Sequence, residues 1–379
     1  MRRALLKGLV LGMAGQPGLG SATRPEADRF AAVNPHTQLE FPRDHGAHPA
    51  YRIEWWYLTA WAQALSADQQ RTDLGLQLTF FRVNTGYQRQ HTGRFAAREL
   101  LFAHAALAIP RQPKLLTAER AARSGLSLAE AGERDTRLTL GNWRLERGAD
   151  DRYSAQISDS KFKLSLSLEA KHPPLLQGDR GFSRKGPSPA QASFYYSRPW
   201  LSLSGALSLA QPVTSAAGQR SWSSAQLTGH AWFDHEWSSE LLDDRATGWD
   251  WVGLHLHDGS ALMTFRIRSR DSSNLWVDAN WVDSGQRRLL TPAEASGVQF
   301  EPIRWWRSPR TGANWPVAMQ IKIASRTFDL QPLIDDQELD TQSSTGVTYW
   351  EGAVSVYERG QPIGRGYLEL TGYAQALKI

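Results

Sequence analysis

Residues Leu227-Thr-Gly-His-Ala-Trp-Phe-Asp-His-Glu-Trp237 bring two His, two Trp, one Asp and one Glu into one short segment. In a β-strand successive side chains point to opposite faces. The segment read that way sets His230, Trp232 and Asp234 on one side and Ala231, Phe233 and His235 on the other. One face then holds an imidazole, an indole and a carboxyl group. Such a trio can move a proton to or from an apolar molecule lying on the Trp, provided desolvation lifts the Asp pKa toward neutrality. The same residues also suit a structural network in which a buried His and Asp satisfy each other and the nearby backbone.

Alternation of this kind recurs in both directions along the chain. Ile53, Trp55, Tyr57, Thr59 and Trp61 alternate with Glu54, Trp56, Leu58 and Ala60, a strand pattern with aromatics on both faces. Glu54, between Arg52 and the Trp55-Trp56 pair, is open to three readings: a surface residue, an ion-pair partner for an Arg, or a pocket acid. Further strand-like runs fall at 74–83, 101–109, 138–145, 153–157 and 162–168, with His104 in the second read as a satisfied core residue. The stretch 111–137, rich in Ala, Arg and Glu, is the one expected to contain a helix. Residues 172–192 form the longest Gly- and Pro-punctuated loop, expected to close the mouth of a cavity. Tyr195 and Tyr196 follow it and must face opposite sides. A linker at 211–219 precedes the central segment; beyond it 248–257 and 261–268 form a hairpin about Asp258-Gly259. With more runs at 275–282, 317–323 and 346–357, many short strands and few helix signals predict an all-β barrel or sandwich.

Composition narrows the classes. A chain of 379 residues defaults to two domains. It has no Cys, which removes disulfides, thiolate chemistry and Cys-based metal sites. The net charge of +5 permits peripheral contact with an anionic membrane, but the basic residues are interspersed with acids and form no block, so nucleic acid is not expected as a partner. Sixteen Trp can line a pocket for an extended hydrophobic ligand or fill barrel interiors. Residues 1–22, opening Met1-Arg-Arg-Ala-Leu-Leu-Lys7, resemble an export signal of the twin-arginine type and predict a periplasmic or secreted protein. Nucleophile-elbow, Walker and dinucleotide fingerprints are all missing. His255-x-His257 lies on one strand face and would need further ligands such as His235 or Glu236 to hold zinc. His257 beside a turn is more simply solvent-facing, and no metal is expected.

The segments Tyr51-Arg-Ile-Glu-Trp-Trp-Tyr-Leu-Thr59, Gln77-Leu-Thr-Phe-Phe-Arg82, Ala231-Trp-Phe-Asp-His-Glu-Trp237, Gly248-Trp-Asp-Trp251, Tyr349-Trp-Glu-Gly-Ala-Val354 and Gly366-Tyr-Leu-Glu-Leu-Thr-Gly-Tyr373 together resemble the AttH-like and carotenoid 1,2-hydratase family. The resemblance implies two tandem lipocalin-like antiparallel β-barrels with few short helices, here 30–222 and 223–379, and a ligand site in a barrel or between the two. It also implies water addition to a C=C without a cofactor, by an Asp acid helped by His, Trp and Tyr. An ABC-type export permease is the implied partner. His230-x-Trp232 matches the family's His-x-Trp element. No Tyr-x-Asp element is present, and Trp249-Asp250-Trp251 stands near its expected place. The resulting expectation is an exported, cofactor-free enzyme that hydrates or hydrolyses a hydrophobic polyene or lipid-like substrate. Asp234 would be the acid, His230 or His235 its proton partner and Glu54 a second carboxyl, with Trp232, Trp237, Tyr195, Trp56, Asp250 and Trp251 around the ligand. The rival expectation is a periplasmic carrier that hands a lipophilic ligand to an exporter and needs no acid.

Overall fold

The computed structural model describes residues 30–86, 97–211, 221–240, 242–283, 286–288, 290 and 292–377. The export segment 1–22, and the linker beyond Gln211, lie outside the described residues. One antiparallel sheet contains β1 (Ile53–Ser66), β2 (Arg71–Asn84), β3 (Glu99–Ala108), β4 (Leu116–Arg123), β5 (Ala129–Ala131), β6 (Arg137–Leu140), β7 (Trp143–Arg147), β8 (Arg152–Ser158), β9 (Phe162–Ala170), β10 (Leu175–Leu176), β11 (Phe182–Arg184), β12 (Ala192–Ala210) and β13 (Trp222–Ser238). Its order is β4-β3-β2-β1-β13-β12-β9-β8-β7-β6-β5, with β10 and β11 paired to β12, and it curls until β4 meets β6 as a nearly closed barrel. The second sheet contains β14 (Ala246–Leu256), β15 (Ala261–Ser269), β16 (Asn274–Asp283), β17 (Gln286–Arg288), β18 (Gln299–Arg307), β19 (Asn314–Ile323), β20 (Arg326–Pro332), β21 (Glu338–Thr341), β22 (Val347–Glu358) and β23 (Gln361–Leu370). It runs β17-β16-β15-β14-β23-β22-β20-β19-β18, with β21 on β22, and is a half-barrel.

Each sheet buries its concave face as its own interior. Leu58, Leu76, Leu138 and Trp143 fill the first, and Trp315, Met319 and Phe328 the second. The middle of the first sheet is covered on its other face too, where Tyr57, Trp61, Tyr195 and Trp232 meet Trp251, Met263, Phe265 and Tyr367 of the second sheet. Burial along the middle of β1 is therefore nearly continuous, whereas most of β9, away from the contact, alternates buried and exposed. The aromatics on both faces of 53–61 reflect this double covering.

Three expectations change. The stretch 111–137 holds β4 and β5 instead of a helix, because pairing with β3 and β6 overrides the helix propensity of its Ala, Arg and Glu. The run 138–145 is two strands, β6 and β7, turned about Gly141, whose φ of 62° suits glycine. The break expected at 222 is displaced as well: β13 pairs with β1 and β12, so the chain changes sheets only after Ser238. Helix among the described residues is limited to Pro292–Ser296 and a 3-10 turn at Arg43–His45.

The sheets approach closely at Gly75. A side-chain carbon there would sit 2.5 Å from the Ala353 Cβ and 2.7 Å from the Tyr367 hydroxyl. Gly75→Val should wedge the sheets apart and lower stability by about 1–3 kcal/mol, read as a lower denaturation midpoint in guanidinium.

Candidate active site

The period of two in β13 sends its functional groups to different sides of the first sheet. Asp234 and Trp232 face the second sheet, while His235, Phe233 and Trp237 face the barrel interior. Tyr195 and Tyr196 on β12 separate in the same way. Asp234 and His235 therefore belong to two different clusters.

On the face between the sheets, Asp234 is fully covered and accepts three hydrogen bonds. Ser197 Oγ (2.5 Å) and Trp232 Nε1 (2.7 Å) donate to Oδ1, and the Tyr195 hydroxyl (2.8 Å) donates to Oδ2. Trp251 Nε1 of the second sheet donates to the Tyr195 oxygen at 3.1 Å. Burial drives the Asp234 pKa up to about 7 against the pull of these donors. Opposite lie Glu351 on β22 and Glu369 on β23, cross-strand partners in one row with Trp251. Burial and the neighbouring Glu369 lift the Glu351 carboxyl well above the usual range. Glu369 is pushed to about 8 by burial, opposed by a 3.0 Å bond from Trp249 Nε1. Both Glu351 oxygens are buried without a hydrogen bond of normal geometry, and the Tyr57 phenol lies against them. Lys185, from the 172–192 loop, places its Nζ 3.1 Å from Glu236 and 4.0 Å from the centre of the Phe265 ring.

The interior cluster is built differently. Glu54 Oε1 lies 2.8 Å from His235 Nε2 and 2.7 Å from His48 Nδ1, and Oε2 accepts from Arg82 Nε at 2.8 Å and from the His48 backbone N–H at 2.9 Å. The His48 ring stacks on Trp237 at 3.7 Å, and Trp56 lies against His235 at 4.7 Å. Burial alone would raise the Glu54 carboxyl, but the charges of His48 and Arg82 hold it well below the usual range. Burial also brings His235 down to about 4. His48, Glu54 and His235 have ligand atoms within 4.8 Å of one another, the span of a metal site. However, the Arg82 guanidinium shares the carboxylate and every ligand atom already has a hydrogen-bond partner, which fits an ion network better than a cation.

Several sequence assignments change accordingly. Of the readings open for Glu54, the ion-pair partner is the one found. Glu54, His235, Trp56 and Trp237 form the barrel-interior network and do not share a site with Asp234. His230 is exposed, because β13 has emerged from under the second sheet there, and it is not a partner for Asp234. Asp250 points into the half-barrel, held by Arg266 (2.6 Å), Arg268 (3.0 Å) and Tyr373 (3.2 Å). Trp232, Tyr195 and Trp251 do converge on Asp234. His255 meets the Pro199 carbonyl and His257 is exposed, so they form no metal pair. Sequence reading missed Glu351, Glu369, Tyr57 and Lys185 as site residues. Glu351 stood in the quoted Tyr349-Trp-Glu351 segment, and its signal was an acid on an otherwise apolar strand.

Two curled antiparallel sheets enclosing a row of buried acids define a lipocalin-like β protein. The AttH-like family model matches residues 32–373, and the chain belongs to that family. A solved AttH-like protein from Nitrosomonas europaea is 44% identical, with a TM-score of 0.79, covering 91% of this chain and 100% of that one. Kievitone hydratase from Nectria haematococca shares the fold at 13% identity and a TM-score of 0.64, covering 92% and 96%. CghA, solved with Sch210972, does so at 14% and 0.52, covering 92% and 97%. No curated protein matches.

The two clusters respond oppositely to pH. Folding raises the Asp234 and Glu369 pKa values, so their stabilising contribution is complete below the ordinary carboxylate range and is lost as pH rises through about 7 and about 8. Melting temperature should fall between about pH 5 and pH 9, and Asp234→Asn should flatten that fall. Folding depresses the Glu54 pKa, so its contribution is lost instead as pH falls. Glu54→Gln strands Arg82 and His48 and should cost about 3–5 kcal/mol near neutral pH, measured by urea denaturation.

Proposed function

We propose that the protein is a hydratase-like enzyme that adds water across a C=C bond of an apolar, polyene or lipid-like substrate held between the two sheets. The observation that supports this most is Glu351: a fully buried carboxyl that burial and the neighbouring Glu369 make hold its proton more tightly than usual, with neither oxygen committed to an ordinary hydrogen bond. Alkene hydration requires a donor that still carries its proton at working pH, a water-poor site and a surface that stabilises the developing cation. The rings of Tyr57 and Trp251, edge to face at 5.4 Å, and of Trp232 supply that surface through cation–π attraction.

In this mechanism the Glu351 proton forms a C–H bond as the π pair leaves the second carbon. Water attacks that carbon, and its extra proton returns to the Glu351 carboxylate, so the protein is unchanged. Asp234 acts through its neighbours: its three bonds orient Tyr195, Trp232 and Ser197, and through Tyr195 the indole of Trp251. Kievitone hydratase, a distant relative by fold, is named for a reaction of this class. The Arg2-Arg3 segment supports an exported location, and an export permease and the membrane surface are the partners that location suggests.

Incubation of the purified protein with polyenes and prenyl-bearing lipids in isotopically labelled water tests the reading. Labelled alcohol should form, Glu351→Gln should reduce turnover by at least about 10³-fold and Asp234→Asn by about 10²-fold. Wild-type turnover in Glu351→Gln, or a co-purified lipophile recovered chemically unchanged with no conversion of any alkene offered, would overturn it; the latter outcome describes a carrier.

A further inference from the structure

A single cross-strand line of the first sheet runs Glu119, His104, Thr79, Tyr57, Asp234, Ser197, from β4 to β12. Directly opposed residues share a face, so this polar row crosses the sheet on the side the second sheet covers. At its outer end Glu119 lines a polar groove of about 260 Å³, together with Asp159, Lys161 and Asp340. The Ser343 and Ser344 hydroxyls both donate to the Glu119 carboxylate. Ser344 Oγ lies 2.9 Å from His104 Nε2, and His104 Nδ1 lies 2.7 Å from the Tyr349 hydroxyl. Tyr349 and Glu351 are two residues apart on β22 and so share a face.

We propose that Glu119, Ser344, His104 and Tyr349 form a proton path that joins the outer groove to the Glu351 carboxyl. Inward, the Glu119 proton passes to Ser344 Oγ, the Ser344 proton to His104 Nε2, the His104 Nδ1 proton to the Tyr349 oxygen, and the Tyr349 proton through one bridging water to Glu351. Each middle group gives one proton and receives one; Glu119 ends ionised and Glu351 neutral. His104 faces Glu119 from β4, Ser344 and Tyr349 from the second sheet, and the Phe81 ring from β2. Burial brings its pKa down to about 3, so it works as a neutral ring that exchanges tautomers. Burial raises the Tyr349 pKa, as would the carboxylates of Glu351, Glu369 and Glu119 when ionised, the two ends of the path and one neighbour. A purely structural clamp between the sheets would need the hydrogen bonds but not their order, running from a partly exposed acid to a tyrosine on the strand face that carries the buried one.

The path is tested without any substrate, so its failure is distinguishable from failure of the hydration reading. After a rapid pH jump, the infrared band of protonated carboxyls is followed in time, the Glu351 share being assigned by its loss in Glu351→Gln. Glu119→Gln and Ser344→Ala, both at partly exposed positions, should slow the Glu351 response at least about tenfold while leaving its final amplitude unchanged. A wild-type rate in both variants would overturn the path. So would loss of the final amplitude along with the rate, since that is the signature of a clamp whose removal loosens the sheets.

Discussion

An ionised carboxyl group taken out of water costs several kcal/mol unless something compensates it, and this chain buries acids on both faces of one sheet. The two faces meet that cost in opposite ways. Inside the barrel, Glu54 is matched by Arg82 and by two imidazoles and stays charged. Between the sheets, Asp234, Glu351 and Glu369 form no ion pair among the described residues, and burial shifts each toward its protonated form. The nearby cation, Lys185, is paired with Glu236. A buried carboxyl whose pKa is lifted toward or above neutrality is present in the protonated form that a general acid needs. The chemistry of the site follows from where cations were left out.

That arrangement needs both halves of the chain. The first sheet alone would leave Tyr57, Trp61, Trp232 and Asp234 facing water, and Asp234 would then ionise like any surface carboxyl. The second sheet covers them and brings Glu351 and Glu369 on adjacent strands β22 and β23. Two of the bonds that tie the sheets, Trp251 to Tyr195 and Trp61 Nε1 to the Gly366 carbonyl at 2.8 Å, come from aromatic residues whose rings also exclude water from the acids. Cover and acid arrive on the same strands.

The strands were legible in the sequence where alternation was clean, as in Phe162 to Leu168, and where a turn had a defined chemistry, as at Asp258-Gly259, whose glycine has a φ of 86°. The opposition of Tyr195 to Tyr196 followed from the period alone. What periodicity cannot supply is which face meets a second layer. His230 and Asp234 share a side of β13, yet one is exposed and the other buried, because the second sheet ends between them. Asp250 looked like part of the site for the same reason: its strand was right and its face was wrong. Glu351 escaped notice because its partners Tyr57 and Glu369 are distant in sequence, and only the pairing of β22 with β23 and the stacking of the sheets bring them together.

Asp234 and His235 are consecutive residues, and this couples the two faces mechanically. A strand turns no side chain without moving its neighbour, since one residue of slip exchanges the faces. The interior network grips His235 through Glu54 Oε1 and Tyr196, and so fixes the backbone from which Asp234 projects toward the second sheet. Tyr196 likewise anchors β12 from inside, one residue from the Tyr195 that meets Asp234 from outside. The charged cluster around Glu54 thus serves as the rigid support for β13, from whose other face Asp234 meets its three donors. Support from the interior thus fixes the face of the first sheet that Glu351 meets, where the Tyr57 phenol lies against its carboxyl group.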